Sequence, residues 1–276
     1  GDSGGARYSP LTQINAGNVR MLEPAWTYHV GTYDGPVEKA FAALEATPIT
    51  AEGRLYICAG NGRIAAIDPE TGREIWAHDP KSDISGSYII NCRGVTYGRD
   101  ASVKEGEACA GRIYAGTLDF RLVALDSRTG APCASFGRNG VIDIKQDAGA
   151  HDRGDLAISS PPVIIDGKVV VNGRVIDNKS ADMPAGAIRA FDMHSGALAW
   201  SWNPLPPGRT DAADAPKGEK YVRATPNSWA PMSADPALNL VFIPMGNAPP
   251  DHYGAVRNGL DYYSASVVAL DAKTGQ

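Results

Sequence analysis

The sequence lacks the features with which proteins bind nucleic acid, span a membrane or hold structural zinc. It has no run of Lys or Arg and a net charge of -5, whereas nucleic-acid binding needs clustered basic residues that displace counterions. No apolar run approaches the roughly 18 residues of a membrane span. The four cysteines form no Cys-x-x-Cys pair, which argues against a zinc knuckle, and they are too few to decide the redox compartment.

The sequence also lacks an initiator Met, a signal peptide and long stretches with apolar residues at helical spacing. Because it begins at Gly1 and stops at Gln276 inside a repeated motif, we expect a piece of a longer chain. Only residues 15–20 suggest a helix, a short one capped by Thr12 or Asn15. The polar, Pro-rich segment 204–219 predicts a loop.

Turn residues are abundant, with 31 Gly and 20 Pro, and they separate short runs of β-forming residues. The segments 54–58, 63–68 and 73–76 are such runs, divided by Gly- and Pro-containing turns. Asp166-Gly167 lies between two further runs, 163–165 and 168–171, and this dipeptide favours the turns that match strand twist in a hairpin. An apolar content of 43 % with 21 % charged residues indicates a folded chain.

One motif occurs four times, Ala-Φ-Asp-x-x-[Thr/Ser]-Gly, in which Φ is apolar. The copies begin at Ala66, Ala124, Ala190 and Ala269. The Asp can accept hydrogen bonds from the N–H groups of its own turn, and the Gly supplies the positive φ that ends a tight turn. Trp76 and Trp200 follow the Gly of their copies by four residues, and Trp26 precedes the first copy in a similar context. A recurring flat indole suits packing between adjacent sheets.

The spacing of the motif predicts an all-β fold, a β-propeller of four-stranded antiparallel blades. Its aspartates are 58, 66 and 79 residues apart, and each interval accommodates four strands and a loop. One copy alone would indicate only a turn before an edge strand. Since the fourth copy lacks its final strand, we expect a single partial domain over residues 1–276, with about four blades, truncated at its C-terminal end.

The repeat with its Trp resembles the tryptophan-docking motif of the quinoprotein dehydrogenases, eight-bladed propellers that carry pyrroloquinoline quinone (PQQ) and Ca²⁺. The resemblance runs the length of the chain. Segment 7–15 looks like the opening segment of that family and segment 47–49 like the inner strand of its first blade. More specific matches are Cys92-Arg93-Gly94-Val95-Thr96-Tyr97, Ser160-Pro161-Pro162, Pro226-Asn227-Ser228-Trp229-Ala230 and Gly246-Asn247-x-x-Pro250-Asp251.

Together these segments look like the membrane-bound branch that oxidises glucose, quinate or shikimate, and polyols. The resemblance implies a small polyhydroxy substrate, ubiquinone as the electron acceptor and a place at the periplasmic face of the bacterial inner membrane. Contact with the membrane would come through segments outside this chain, as would the remaining blades.

Four residues match PQQ contacts of the family. Arg93 matches an arginine that binds the cofactor, the alternative being a surface strand residue, and a fixed guanidinium suits a carboxylate. Trp229 lies outside the repeat and matches an indole that stacks on the cofactor ring, the alternative being a core Trp. Glu45 matches a polar contact and Ser159 a hydroxyl contact, and the alternatives are an exposed Glu and a turn serine.

Asp177 and Asn247 match the carboxylate and asparagine ligands of the family's Ca²⁺, an ion that prefers hard oxygen ligands. Asp177 is one methylene shorter than the Glu of alcohol-oxidising relatives, and the alternative is that both residues cap turns. The catalytic base of the family falls beyond Gln276. None of the five histidines stands in a motif that replaces it; we expect them to be exposed, and the isolated chain to be inactive.

Ile89 stands where glucose-oxidising members carry a His, and Ser87-Tyr88 stands where the alcohol-oxidising branch has a vicinal disulfide. The resemblance therefore favours quinate, shikimate or a polyol over glucose. Cys92 and Cys109 flank one loop, and the periplasmic location implied by the family would allow a disulfide between them; the alternative is two buried thiols. A different class of function is a non-catalytic propeller scaffold, which would not need these site residues at one channel.

Overall fold

A computed structural model describes residues 9–31, 35 and 42–276, and this part of the chain is almost entirely β-structure. Its strands form three four-stranded sheets, one three-stranded sheet and two short pairs. Every pairing within the larger sheets is antiparallel and joins neighbours in the sheet order. The predicted four-stranded antiparallel blades are thus confirmed. Arg7 and Tyr8 of the predicted opening segment lie outside the described residues.

The first blade follows a short strand, β1 (Ala42–Leu44). Its strands are β2 (Ile49–Ala51), β3 (Arg54–Cys58), β4 (Ile64–Ile67) and β5 (Glu74–His78). The next strand, β6 (Ile90–Cys92), belongs to no blade and pairs in parallel with β1, with Leu44 opposite Cys92. The segment that contains β6 connects the first blade to the second.

The second blade contains β7 (Thr96–Arg99), β8 (Gly111–Gly116), β9 (Arg121–Asp126) and β10 (Val141–Asp143). Strand β11 (Leu156–Ala157) then leads to the third blade. That blade contains β12 (Val163–Ile165), β13 (Lys168–Val171), β15 (Ile188–Asp192) and β16 (Leu198–Trp202), while β14 (Arg174–Val175) pairs with β11. The predicted hairpin is present: Ile165 pairs with Lys168, and both turn residues, Asp166 and Gly167, have positive φ.

The fourth sheet has three strands in the described chain, β17 (Ser233–Asp235), β18 (Leu240–Pro244) and β19 (Val267–Asp271). The predicted short helix over residues 15–20 is present only as a 3₁₀ helix, Val19–Met21, while the predicted cap residue Asn15 accepts a hydrogen bond from the Gly17 N–H. Conversely, the predicted loop 204–219 contains the short helix α1 (Asp211–Asp214), whose Thr210 side chain accepts a hydrogen bond from the Ala213 N–H. The capping hydrogen bond of Thr210 stabilises a helical turn here even though the segment is rich in proline.

In each of the four motif copies, one carboxylate oxygen of the Asp accepts hydrogen bonds from two backbone N–H groups of its turn. The donors are Glu70 and Thr71 to Asp68, Arg128 and Thr129 to Asp126, His194 and Ser195 to Asp192, and Lys273 and Thr274 to Asp271. These bonds satisfy N–H groups that the turn would otherwise leave unpaired, so one local rule produces the same corner in every unit.

The repeated indoles pack between neighbouring units, as the sequence predicts. A Cβ added at Gly130 would lie 2.5 Å from the Trp76 ring, so only a glycine lets the ring approach this turn. Trp26 lies on Gly72 and Trp200 on Gly275 in the same way. Each indole N–H donates to the carbonyl after the motif Asp of the next copy, at Pro69, Ser127 or Ala272. Each indole therefore joins two consecutive units.

The predicted pairing of Cys92 with Cys109 is wrong. The disulfides are Cys58–Cys92 and Cys109–Cys133. Strand β6 lies against the first blade, where Cys58 ends β3, whereas Cys109 precedes β8 and faces the turn after β9. The disulfide pairing thus depends on how the strands pack in space. The separation of the cysteines along the chain does not reveal that packing.

Candidate functional site

A cleft of about 200 Å³ opens where the connections between blades meet. Its lining residues come from β6 and the residues on either side of it, from β14 and the residues after it, from the segment just before β17 and from the segment after β18. They are Tyr88, Ile89, Asn91, Arg93, Arg174, Asp177, Trp229 and Asp251. Three of the six predicted site residues, Arg93, Asp177 and Trp229, therefore line one cleft.

Arg93 joins the other predicted cofactor-binding residues. Its Nη2 lies 3.1 Å from Oε2 of Glu45, and its Nη1 donates a hydrogen bond of 2.6 Å to Oγ of Ser159. Its Cζ lies 5.2 Å from the ring centroid of Trp229, within the range of a cation–π contact. Residues far apart in the sequence thus form one connected group.

Trp229 differs from Trp76 and Trp200 in exposure. Those two indoles are buried between sheets, while Trp229 is 45 % exposed. Its backbone carbonyl accepts a 2.6 Å hydrogen bond from Oγ of Ser160, which fixes the main chain beneath the ring. An anchored aromatic side chain with free surface offers a place for a planar molecule to stack.

Asn91 is a site residue that the sequence did not indicate. It is buried, and its Nδ2 donates a hydrogen bond of 2.7 Å to Oε2 of Glu45. Its Oδ1 is buried and has no hydrogen-bond partner in the described part of the chain. Asn91 therefore holds Glu45 in place and keeps one unused acceptor.

Arg174 is the second residue that the sequence analysis missed. It is 5 % exposed, and within the described residues no hydrogen-bond partner is found for any of its guanidinium nitrogens. Its Cζ lies 4.6 Å from the centroid of the Tyr88 ring, and burial lowers its pKa. A buried cation with open donors is costly unless an anion pairs with it. The signal was a lone Arg between Gly173 and an apolar run.

Asp177 and Asp251 carry negative charge at the same cleft. Burial raises the pKa of Asp177, and the nearby charge of Asp251 raises it further, while Arg174 and His252 act in the opposite direction. Oδ1 of Asp251 is buried and unpartnered among the described residues. A cation between the two carboxylates would relieve this repulsion.

Asn247 does not line the cleft. Its backbone carbonyl accepts a hydrogen bond of 3.3 Å from Nδ2 of Asn227, and its pairing with Asp177 around a metal stays a prediction. Across residues 9–31, 35 and 42–276, no group of three or more His, Cys, Asp or Glu side chains is placed to hold a metal ion. Any cation here would depend on oxygen ligands of mixed type.

His194 is half-exposed, but it is not simply solvated as predicted. Its Nδ1 lies 2.6 Å from Oδ2 of Asp100, and the same oxygen lies 2.6 Å from Nη2 of Arg112, a fully buried residue. Arg112 also donates to the carbonyls of Met193 and His194, so the group ties the second blade to the third. It lies outside the cleft, and its role is structural.

The chain is similar to known proteins over almost its whole length. Residues 1–276 match the family described as "PQQ: Glucose/ethanol/alcohol dehydrogenase, beta-propeller domain". The chain is 41 % identical over 276 residues to the glycerol dehydrogenase large subunit of Gluconobacter oxydans, covering 99 % of this chain and 37 % of that protein. It is 35 % identical over 292 residues to the quinate/shikimate dehydrogenase (quinone) of Acinetobacter baylyi, covering 100 % of this chain and 36 % of that protein.

Among solved structures, the quinohemoprotein alcohol dehydrogenase ADHIIG of Pseudomonas putida HK5 is similar, with a TM-score of 0.74 and 28 % identity. The match covers 98 % of this chain and 37 % of that one. The chain therefore spans little more than a third of the length of these relatives. No helix in the described part of the chain is both long and apolar enough to cross a membrane.

Proposed function

Because the chain belongs to the PQQ glucose/ethanol/alcohol dehydrogenase β-propeller family, we propose that it is part of a PQQ-dependent dehydrogenase. The whole protein would oxidise a CH–OH group of a sugar, polyol or cyclic hydroxy acid and pass the electrons to ubiquinone. Residues 1–276 would form one partial propeller domain of about four blades, and their Trp–Gly contacts would be the docking motifs of the family. The share of each relative that the chain covers supports this view.

The buried guanidinium of Arg174, whose nitrogens have no hydrogen-bond partner among the described residues, is the observation that carries the proposal. PQQ is a planar tricarboxylate, and when bound it supplies the quinone that accepts two electrons from the substrate. Arg174 would bind one of its carboxylates, which would satisfy donors that lack partners in the described residues. Arg189 is also buried and has two guanidinium nitrogens without partners in the described residues, but of these two arginines only Arg174 lines the cleft, so its position argues for a ligand site there.

The remaining cleft residues have the chemistry that the same cofactor needs. Arg93 would supply a second cation, and the exposed face of Trp229 would stack on the ring system. Ser159 and Glu45 hold the Arg93 guanidinium through its two terminal nitrogens and would add polar contacts. Because the cleft is smaller than the roughly 300 Å³ at which typical ligand pockets begin, further blades would complete it and contribute the catalytic base.

Calcium is the metal that fits the oxygen donors of the site. Asp177 and Asn247 would be ligands, and the unpartnered carboxylate oxygen of Asp251 adds a third candidate. Burial first, and then the nearby charge of Asp251, raise the pKa of Asp177, and a bound divalent cation would lower it.

The substrate would be a polyol or a quinate-type hydroxy acid rather than glucose. Ile89 lines the cleft, and an isoleucine there cannot donate or accept the hydrogen bonds that a His would offer to a sugar hydroxyl. The similar glycerol and quinate/shikimate dehydrogenases support this class. The protein would work at the periplasmic face of the inner membrane, which it would contact through segments outside this chain, and it would bind no nucleic acid.

Reconstitution tests the proposal. The full-length apoprotein is incubated with PQQ and CaCl₂, and dye reduction is followed with quinate, glycerol and glucose. We expect activity with quinate or glycerol, little with glucose, and none when PQQ or calcium is omitted. Absence of activity with every polyhydroxy substrate would contradict the proposed enzyme.

A further inference from the structure

We propose that the Cys58–Cys92 disulfide is a positioning device that holds Asn91 and Arg93 ready for the cofactor. The inference rests on the proposed function. It concerns how this chain fixes one wall of its cleft before any ligand arrives.

Strand β6 presents opposite faces to the core and to the cleft. Side chains alternate along extended backbone, so Ile90 and Cys92 face one way while Asn91 and Arg93, the residue directly after β6, face the other. The observed packing agrees, because Ile90 and Cys92 each belong to a buried apolar cluster, whereas Asn91 and Arg93 line the cleft. The disulfide therefore lies directly behind the two polar side chains.

Strand β6 has a short ladder and two further backbone hydrogen bonds, from the Arg93 N–H to the Ser159 carbonyl and from the Thr47 N–H to the Arg93 carbonyl. It belongs to no blade, and its strand pairing is the three-residue parallel ladder with β1. Cys58 ends β3 inside the first blade and is 0 % exposed, so the disulfide fastens β6 to a rigid sheet. The following loop also lies close, since a Cβ added at Gly60 would be 2.8 Å from the carbonyl oxygen of Ile90.

A strand fixed from behind keeps its side chains in the geometry that a ligand needs. The hydrogen bonds of Arg93 to Ser159 and of Asn91 to Glu45 both depend on where β6 lies. Without the covalent link, these side chains would have to be ordered when PQQ binds, which weakens binding. We expect PQQ affinity to fall by about tenfold or more when the link is removed.

The second disulfide provides a matched control. Cys109–Cys133 closes a loop of similar size, with a sequence separation of 24 against 34, so its removal should lower global stability to a similar extent. Neither of its cysteines lines the cleft. A role limited to stability predicts equal effects of the two disulfides on PQQ binding, and a positioning role predicts unequal ones.

The experiment is an equilibrium titration of the full-length apoprotein with PQQ in the presence of CaCl₂, alongside urea unfolding. We expect Cys58→Ala/Cys92→Ala to bind PQQ at least tenfold more weakly, and Cys109→Ala/Cys133→Ala to bind within twofold of wild type. A change of less than twofold in the first variant, or equal losses in both, would overturn the inference. If the wild-type protein binds no PQQ, the proposed function itself fails.

A double-mutant cycle shows whether the disulfide acts through Arg93. Combining Cys58→Ala/Cys92→Ala with Arg93→Lys should lose less affinity than the sum of the separate losses, since both changes disturb one contact. Fully additive losses would contradict a route through Arg93. Should the alanine pair fail to fold, Cys58→Val/Cys92→Ala keeps more of the buried apolar volume and serves in both experiments.

Discussion

The guanidinium carbon of Arg93 lies 5.2 Å from the ring centroid of Trp229. The two residues come from different parts of the chain, one at the end of β6 and the other just before β17. Their contact joins the connection between the first two blades to the connection that enters the fourth sheet. It places a cation and an exposed aromatic ring at one cleft, a combination suited to a flat anion.

Replacement of Arg93 should weaken PQQ binding in the full-length protein. Arg93→Gln removes the charge that contacts Glu45, Ser159 and Trp229, and we expect a loss of roughly tenfold to hundredfold in affinity, about 1.5–3 kcal/mol. Arg93→Lys keeps the charge but not the forked geometry, and should lose less. Arg99→Gln, at a half-exposed arginine outside the cleft, is the control and should bind as wild type. Equal affinities for all variants would remove Arg93 from the site.

The glycines under the indoles should tolerate no side chain. Gly130→Ala combines a positive φ with a clash against Trp76, whereas Gly167→Ala has a similar φ and nothing within 4 Å. We expect Gly167→Ala to lower the free energy of unfolding by about 1–2 kcal/mol, and Gly130→Ala to lower it by about 1–3 kcal/mol more. Urea unfolding measures both. Equal losses would mean that the indole does not depend on this close approach.

These glycines belong to the part of the fold that the sequence predicts. The motif located the turns and sheets because each copy encodes its own corner through the Asp, and Asp166-Gly167 located a hairpin for the same local reason. The disulfide pairing and Arg174 could not be found in this way. Whether Cys92 meets Cys58, or whether an arginine beside an apolar run is buried without a partner, depends on how separate blades pack.

The site residues also divide into those that the sequence predicts and those that only the packing of the blades reveals. Arg93, Trp229 and Asp177 meet at the cleft, and Glu45 and Ser159 hold Arg93. The roles of Asn91 and Asp251 become visible only in the fold, because these depend on residues that lie close in space and far apart in the sequence.

The ion pair between Asp100 and Arg112 should contribute strongly to stability. Both side chains are buried, and Asp100→Asn leaves a buried guanidinium without its counter-charge. We expect the free energy of unfolding to fall by about 3–5 kcal/mol. Asp79→Asn, which breaks an exposed pair with Lys81, should cost less than about 1 kcal/mol. Similar losses for the two variants would contradict the structural role of the buried pair.

The same carboxylate makes stability depend on pH in the acid range. Burial opposes ionisation of Asp100, but hydrogen bonds from Ser102 and His194 and the charge of Arg112 outweigh it, so its pKa lies below that of an ordinary aspartate. Its contribution is therefore complete above the unfolded pKa of about 3.9 and is lost as pH falls through the folded value. The stability difference between wild type and Asp100→Asn should shrink below about pH 4. A difference that stays constant down to pH 2.5 would contradict this assignment.

The most direct test of the cleft is to replace Arg174 by Met, which keeps an extended side chain and removes the charge. A buried cation whose role is to bind an anion should strengthen PQQ binding and lower the free energy of unfolding of the protein without PQQ. Titration with PQQ, paired with urea unfolding of the full-length apoprotein, measures both effects for Arg174→Met. We predict that PQQ affinity falls by more than about tenfold while the free energy of unfolding of the apoprotein rises. Unchanged PQQ affinity, together with a less stable apoprotein, would show that Arg174 serves the fold and that the cleft does not bind the cofactor through it.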